Sequence, residues 1–128
     1  MVKQVVITPH PAKLPYSQGI KTEQFIFVAG QTGHKNPDTG EEIKGIEAQT
    51  RQCLEGMKEI LESAGSSLSD VVSATVYLKN PGDFPQMNEV YKSYFPKDPP
   101  ARATVIANLV SPSILVEIQP IACYSSGQ

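Results

Sequence analysis

From Ile46 to Ala64 the apolar and small residues return every three or four positions, at Ile46, Thr50, Cys53, Leu54, Met57, Ile60, Leu61 and Ala64. That spacing is the stripe of an amphipathic helix. Arg51, Lys58, Glu59 and Glu62 fall on its solvated side, and Gly65 follows as a C-terminal cap. Cys53 and Met57 lie on the stripe, which makes them core residues. From Val71 to Lys79 the period changes to two, with Val72, Ala74, Val76 and Leu78 on one face and Ser73, Thr75 and Tyr77 on the other, the signature of a strand. Asn80-Pro81-Gly82 turns the chain. Asp83 is placed to N-cap a second helix with the apolar face Phe84, Met87, Val90, Tyr91 and Tyr94, where Pro85 is tolerated in the first turn and Pro96 ends the run. Shorter apolar runs at Val5–Thr8, Phe25–Gln31, Ala103–Val110 and Ile114–Tyr124 read as further strands. Leu14–Gly19 and Asn36–Gly40 read as loop and turn, and Gly30 marks a bulge or a close approach to the backbone.

This order, strands, helix, strand, helix and two strands, predicts an α+β domain with both helices on one face of the sheet. The opposite face carries Thr75, Tyr77 and Thr104, mixed rather than charged, which suggests burial against a second copy of the chain. With 128 residues, 40% hydrophobic and 19% charged, residues 1–128 are expected to form one globular domain. A net charge of −2 without a basic run argues against a broad nucleic-acid surface. The N-terminus is too poor in apolar residues for a signal peptide, and no window suits a membrane span. Cys53 and Cys123 are far apart and outside any metal-ligand spacing, and His10 and His34 lie in loop sequence as expected surface residues. The simplest reading is a reduced, cytoplasmic protein without metal.

Two charges stand where apolar strands are expected: Arg102 after Pro100-Ala101, and Glu117 between Val116 and Ile118. A guanidinium fork fits a small carboxylate, and a carboxylate in an apolar setting can hold or activate water. A purely structural ion pair is the alternative. In a plain hairpin about Pro112, Ala122 would face Arg102 and Ala107 would face Glu117, separating the two charges by roughly 17 Å at about 3.3 Å per residue. Either the strands are not neighbours or the cleft is completed by another subunit. Pro120 adds to the difficulty, because a central strand needs the N–H that proline lacks.

Taken together and in order, Leu14-Pro15-Tyr16-Ser17-Gln18-Gly19, Val28-Ala29-Gly30-Gln31, Ala48-Gln49-Thr50-Arg51-Gln52, Met87-Asn88-Glu89-Val90-Tyr91, Pro100-Ala101-Arg102 and Val116-Glu117-Ile118 resemble the RidA/YjgF family of enamine and imine deaminases. The resemblance implies a chorismate-mutase-like fold and a homotrimer with packed sheets and intersubunit clefts. It also implies an extra strand between the last two, with a bulge at Pro120. The implied chemistry is cofactor-independent hydrolysis of 2-aminoacrylate or 2-aminocrotonate, through their imine tautomers 2-iminopropanoate and 2-iminobutanoate, to 2-oxo acids and ammonia. In that scheme Arg102 binds the substrate carboxylate and Glu117 positions water and passes protons. Gly30 lies against the substrate, Tyr16 lines the cleft and Asn88 adds a polar contact.

Many deaminase members carry Cys where this chain has Thr104, and Asn108 stands at a position commonly small or basic, so substrate range is where a difference is expected. Some relatives are credited with RNA cleavage or translation inhibition, and a non-catalytic ligand-binding or chaperone-like trimer is a third reading.

Overall fold

Helix α1 (Ile46–Ser63) buries the stripe its sequence announced and lies across the sheet. It stops in a glycine-based cap. Gly65 adopts φ 82°, its N–H donates to the Glu62 carbonyl at 3.1 Å, and the Ser66 N–H donates to the Leu61 carbonyl at 2.8 Å. These bonds satisfy carbonyls that the last turn would otherwise orphan. One buried position escaped the pattern: Gln49 is only 2% exposed. Its amide donates to the carbonyls of Ile43 and Ser113, both at 2.9 Å, and its oxygen accepts from the Leu115 N–H at 2.8 Å, so a polar side chain stitches two loops to the helix.

The structure is a computed structural model and describes residues 2–124. Its sheet is built from β1 (Gln4–Val5), β2 (Gly19–Lys21), β3 (Phe25–Val28), β4 (Gln31–Thr32), β5 (Val71–Leu78), β6 (Ala101–Ile106) and β7 (Val116–Cys123). The strand order is β1-β2-β3-β7-β5-β6, with β4 also paired to β7. Helix α2 (Phe84–Tyr94) forms the crossover between the parallel strands β5 and β6 and packs beside α1. The last two strands are therefore not a hairpin, because β5 lies between them, antiparallel to β7 and parallel to β6.

Several boundaries differ from the sequence reading for identifiable reasons. The first strand is Gln4–Val5 rather than Val5–Thr8: Gln4 pairs with Lys21 and Val5 with Ile20, and the Val6 N–H adds one further bond to the Gly19 carbonyl at 3.0 Å, where β2 begins. β6 ends at Ile106 because it there reaches Leu78, the end of β5. A bulge between Val71 and Ser73 shifts the phase of β5, so Val71 is buried and Val72, expected inward, is 42% exposed. Asp83 precedes α2 but makes no side-chain cap, because residues 81–83 already form a 3₁₀ turn whose backbone bond runs from the Asp83 N–H to Asn80. The expected Phe25–Gln31 strand splits in two. Phe27 pairs with Ile121 and Gln31 with Ile118, so three residues, 28–30, face two, Gln119 and Pro120. Pro120 keeps Ala74 as its partner on the β5 side. The bulge expected at Pro120 thus sits in the neighbouring strand, where the absent N–H breaks the ladder.

Both helices cover the same face, over Val28, Ala74, Val76, Leu78, Val116 and Ile118. The other face is left open and holds exposed Phe25, Phe27 and Val105, the two phenyl rings 6.3 Å apart.

Candidate active site

The strand register decides where the two charges go. Arg102 on β6 is level with Ala74, and Glu117 on β7 is level with Tyr77, each through β5. Three residues along β5 and two strand spacings separate them, about 14 Å at about 3.3 Å per residue and about 4.8 Å per strand. They also point to opposite faces. Arg102 shares the helix-bearing side with buried Ala74, whereas Glu117 alternates with the buried Val116 and Ile118 and lies in the set with exposed Gln119. The ion-pair reading is excluded within one chain, and the sequence-predicted site residues divide into two groups.

The first group is Glu117 against Gly30, with Tyr16 joined to Gly30 through a cavity that Glu117 does not line. The Glu117 carboxylate occupies the space a Cβ on residue 30 would fill, so any side chain at that position would turn the carboxylate aside. Glu117 is half-buried and has no hydrogen bond or ion pair among the described residues. Burial without a partner pushes its carboxyl above the usual carboxylate range. Gly30 and the exposed Tyr16 share a cavity of about 850 Å³ with His10, Gln18, Gln31 and Asp38. The loop bearing Tyr16 is fastened at both ends. At one end His10 Nδ1 meets Glu59 Oε2 at 2.9 Å and His10 Nε2 meets Asp38 Oδ1 at 2.7 Å. At the other, Gln18 donates to the His10 carbonyl at 3.1 Å and accepts at 3.1 Å from Gln31, whose amide also donates to Ala29 at 3.0 Å.

The second group is Arg102 with Asn88. They line a cavity of about 380 Å³ together with Tyr91, Phe95, Pro99 and Pro100. The guanidinium carbon lies 4.7 Å from the centre of the Tyr91 ring and 5.7 Å from that of Phe84. No carboxylate pairs with it among the described residues, so its donor fork is uncommitted. Thr104, expected on the open face with Thr75 and Tyr77, is instead two residues further along β6 on the helix-bearing face, because the parallel register sets it level with buried Val76, and it lies outside that lining.

Sequence reasoning missed the supporting residues. His10 is not an idle surface histidine but a clamp; Gln18 and Gln31 were read only as parts of motifs, and Tyr91 and Phe84 only as apolar helix residues, with no role at the site. Only Gln18 and Gln31 carried a signal, as amides flanking the Tyr16 and Gly30 segments. Cys53 is fully buried, and its thiol is pushed far above its ordinary value by burial, which removes it as a nucleophile. Among the described residues no group of three or more His, Cys, Asp or Glu could hold a metal ion, and no helix is long and apolar enough to cross a membrane.

An α+β sheet with two helices on one face, interrupted at a glycine beneath a lone carboxylate, defines a YjgF-like fold. The pattern of the family described as Endoribonuclease L-PSP matches residues 8–124. A RutC family protein of Pyrococcus horikoshii is 49% identical over 124 residues, covering 94% of this chain and 98% of its own. The 2-iminobutanoate/2-iminopropanoate deaminase of Mus musculus is 36% identical, covering 94% and 90%. The crystal structure of E. coli TdcF with bound serine superposes with a TM-score of 0.89 at 32% identity, over 95% of this chain and 99% of that one. The chain belongs to the RidA/YjgF family.

Proposed function

We propose that this protein hydrolyses small 2-imino acids, 2-iminopropanoate and 2-iminobutanoate, to 2-oxo acids and ammonia, in clefts shared between copies of the chain. The observation that carries the reading is the unpartnered Glu117 carboxyl over the Gly30 backbone, poised to exchange protons at less acidic pH than an ordinary glutamate. The uncommitted Arg102 fork supplies the complementary anchor, a bidentate charge-assisted pair with the substrate carboxylate. Because the two groups face opposite sides of one sheet, a second copy must bring the Arg102 half to the Glu117 half. The open face with Phe25, Phe27 and Val105 supports association through the sheets, as a homotrimer.

The chemistry follows from those groups. An enamine first takes a proton at its β carbon, C3, and becomes the iminium. Glu117 accepts a proton as water adds its oxygen to the iminium carbon, giving a carbinolamine. It returns that proton to nitrogen, and takes the hydroxyl proton as the C–N bond breaks and the carbonyl forms. Delivering this last proton to the departing ammonia yields ammonium and regenerates the carboxylate. Tyr16 and Asn88 fit as polar walls, and Thr104 is the position at which substrate preference is expected to differ from relatives bearing Cys.

The test couples the purified protein to a threonine dehydratase and follows decay of the released imine. Accelerated decay that Arg102→Ala abolishes is expected, whereas decay equal in the two proteins would refute the proposal. Ribonuclease action, suggested by the matched family's description, lacks a basic surface at a net charge of −2 and predicts RNA cleavage lost in the same variant.

A further inference from the structure

Arg102 is held in an unusual way for a buried-edge arginine. A guanidinium is ordinarily fixed by a carboxylate, yet such a partner would occupy the N–H groups that must grip a substrate anion. Here aromatic faces hold it: Tyr91 at 4.7 Å and Phe84 at 5.7 Å. Tyr91 is itself fixed, being 5% exposed and packed on Phe95 with ring centres 4.8 Å apart. Its hydroxyl is buried without a hydrogen-bond partner, so the polar end of the side chain contributes nothing visible to the fold. What remains is the ring face.

We propose that Tyr91 is a positioning residue for the carboxylate anchor: its ring is the platform that fixes the plane of Arg102 and leaves the donor fork free for the substrate's carboxylate. This rests on the deaminase reading and deepens it. Cation–π attraction and stacking hold the guanidinium without consuming a donor, so the anchor is pre-organised and less side-chain freedom is lost when the anion arrives. The platform acts on binding of the carboxylate, a contact present in ground state and transition state alike, so its loss should appear in KM and not in kcat.

Tyr91→Leu keeps an apolar side chain at this position and removes the ring. It is expected to raise KM for the imine about fivefold to thirtyfold, the span of a partly desolvated cation–π contact, with kcat little changed. Tyr91→Phe keeps the face and drops only the unpaired hydroxyl, and is expected to restore the lost KM. A Tyr91→Leu protein of unchanged KM, or one in which kcat falls and KM does not rise, overturns the proposal, as does failure of Phe to rescue. Should Tyr91→Leu not fold, Tyr91→Met, whose unbranched side chain fills an irregular gap without a ring, takes its place with the same expected rise in KM, and an unchanged KM contradicts the platform. Pyruvate binding, followed by NMR titration in the same proteins, separates the two readings. If the wild-type protein turns over no imine, the deaminase reading fails by itself. The platform fails if Arg102→Ala weakens pyruvate binding and Tyr91→Leu does not.

Discussion

Gly30 and Glu117 are locked together: the carboxylate of one stands where any side chain on the other would have to be. Gly30→Ala must therefore displace the Glu117 carboxyl. The obstructing atoms end a flexible side chain, so the displacement moves the carboxyl at little cost to the fold. The expected result is a folded protein of modestly reduced melting temperature with a kcat at least tenfold lower. An alanine variant with full kcat would show that the carboxylate's placement is not needed.

Glu117→Gln separates function from stability. Its raised carboxyl means that the charged form is disfavoured in the folded state. For a group whose folded pKa lies above its unfolded value, the stabilisation is complete below the unfolded pKa and is lost as pH rises through the folded one. At neutral pH the wild-type chain thus carries a penalty that glutamine lacks. Glu117→Gln should melt higher than wild type at pH 7, with the gain shrinking as the pH falls towards 4, while kcat drops about 10²- to 10⁴-fold. A variant less stable than wild type at pH 7 would contradict this.

How much of this was legible beforehand follows from which physics each residue obeys. The α1 stripe and the Gly65 cap were readable because burial of a helix face and a positive φ are local properties of sequence. Arg102 and Glu117 stood out in the sequence as lone charges in apolar strands, which made them candidates for chemistry. Their placement on opposite faces was not, because it depends on the β7-β5-β6 register, a long-range pairing that no local period encodes. The Val72 bulge shows the same limit within one strand: a single inserted residue reverses an alternation that looked unbroken. Gln49 and His10 were missed because polar residues announce neither burial nor partners, and their three-way contacts appear only once the loops are folded.

His10 makes the pH dependence of the Tyr16 loop predictable. Glu59 from α1 and Asp38 from the 36–40 turn face its two ring nitrogens, with Lys35, Lys58 and Glu55 lining the same cavity. A neutral imidazole has one N–H, so donating to both carboxylates requires the imidazolium. The bond to Glu59, then that to Asp38, raises its pKa above 6.5. The clamp is complete below about pH 6.5 and is lost as pH rises through the raised value. Hydrogen exchange of residues 10–18 should quicken between pH 6 and pH 9 beyond the intrinsic increase, and His10→Gln should remove that excess. An identical profile in the variant would rule the clamp out.

Gln49→Leu tests the polar stitch at the other end of α1. The substitution keeps the volume but leaves the Ile43 and Ser113 carbonyls and the Leu115 N–H without their partner. The three bonds are part-buried and each contributes about 0.5–1.5 kcal/mol, so chemical denaturation should show a loss of about 2 kcal/mol or more. A loss below about 0.5 kcal/mol would mean that these loops find other partners.

The central claim is that Arg102 and Glu117 serve one cleft from different copies of the chain, and subunit mixing tests it most directly. Arg102→Ala and Glu117→Gln proteins, each inactive alone, are co-refolded in equal amounts and assayed for imine decay. Random assembly places an intact arginine beside an intact glutamate in some clefts, and activity should return to about a quarter of the wild-type level. Mixed assemblies as inactive as their parents would contradict the shared site.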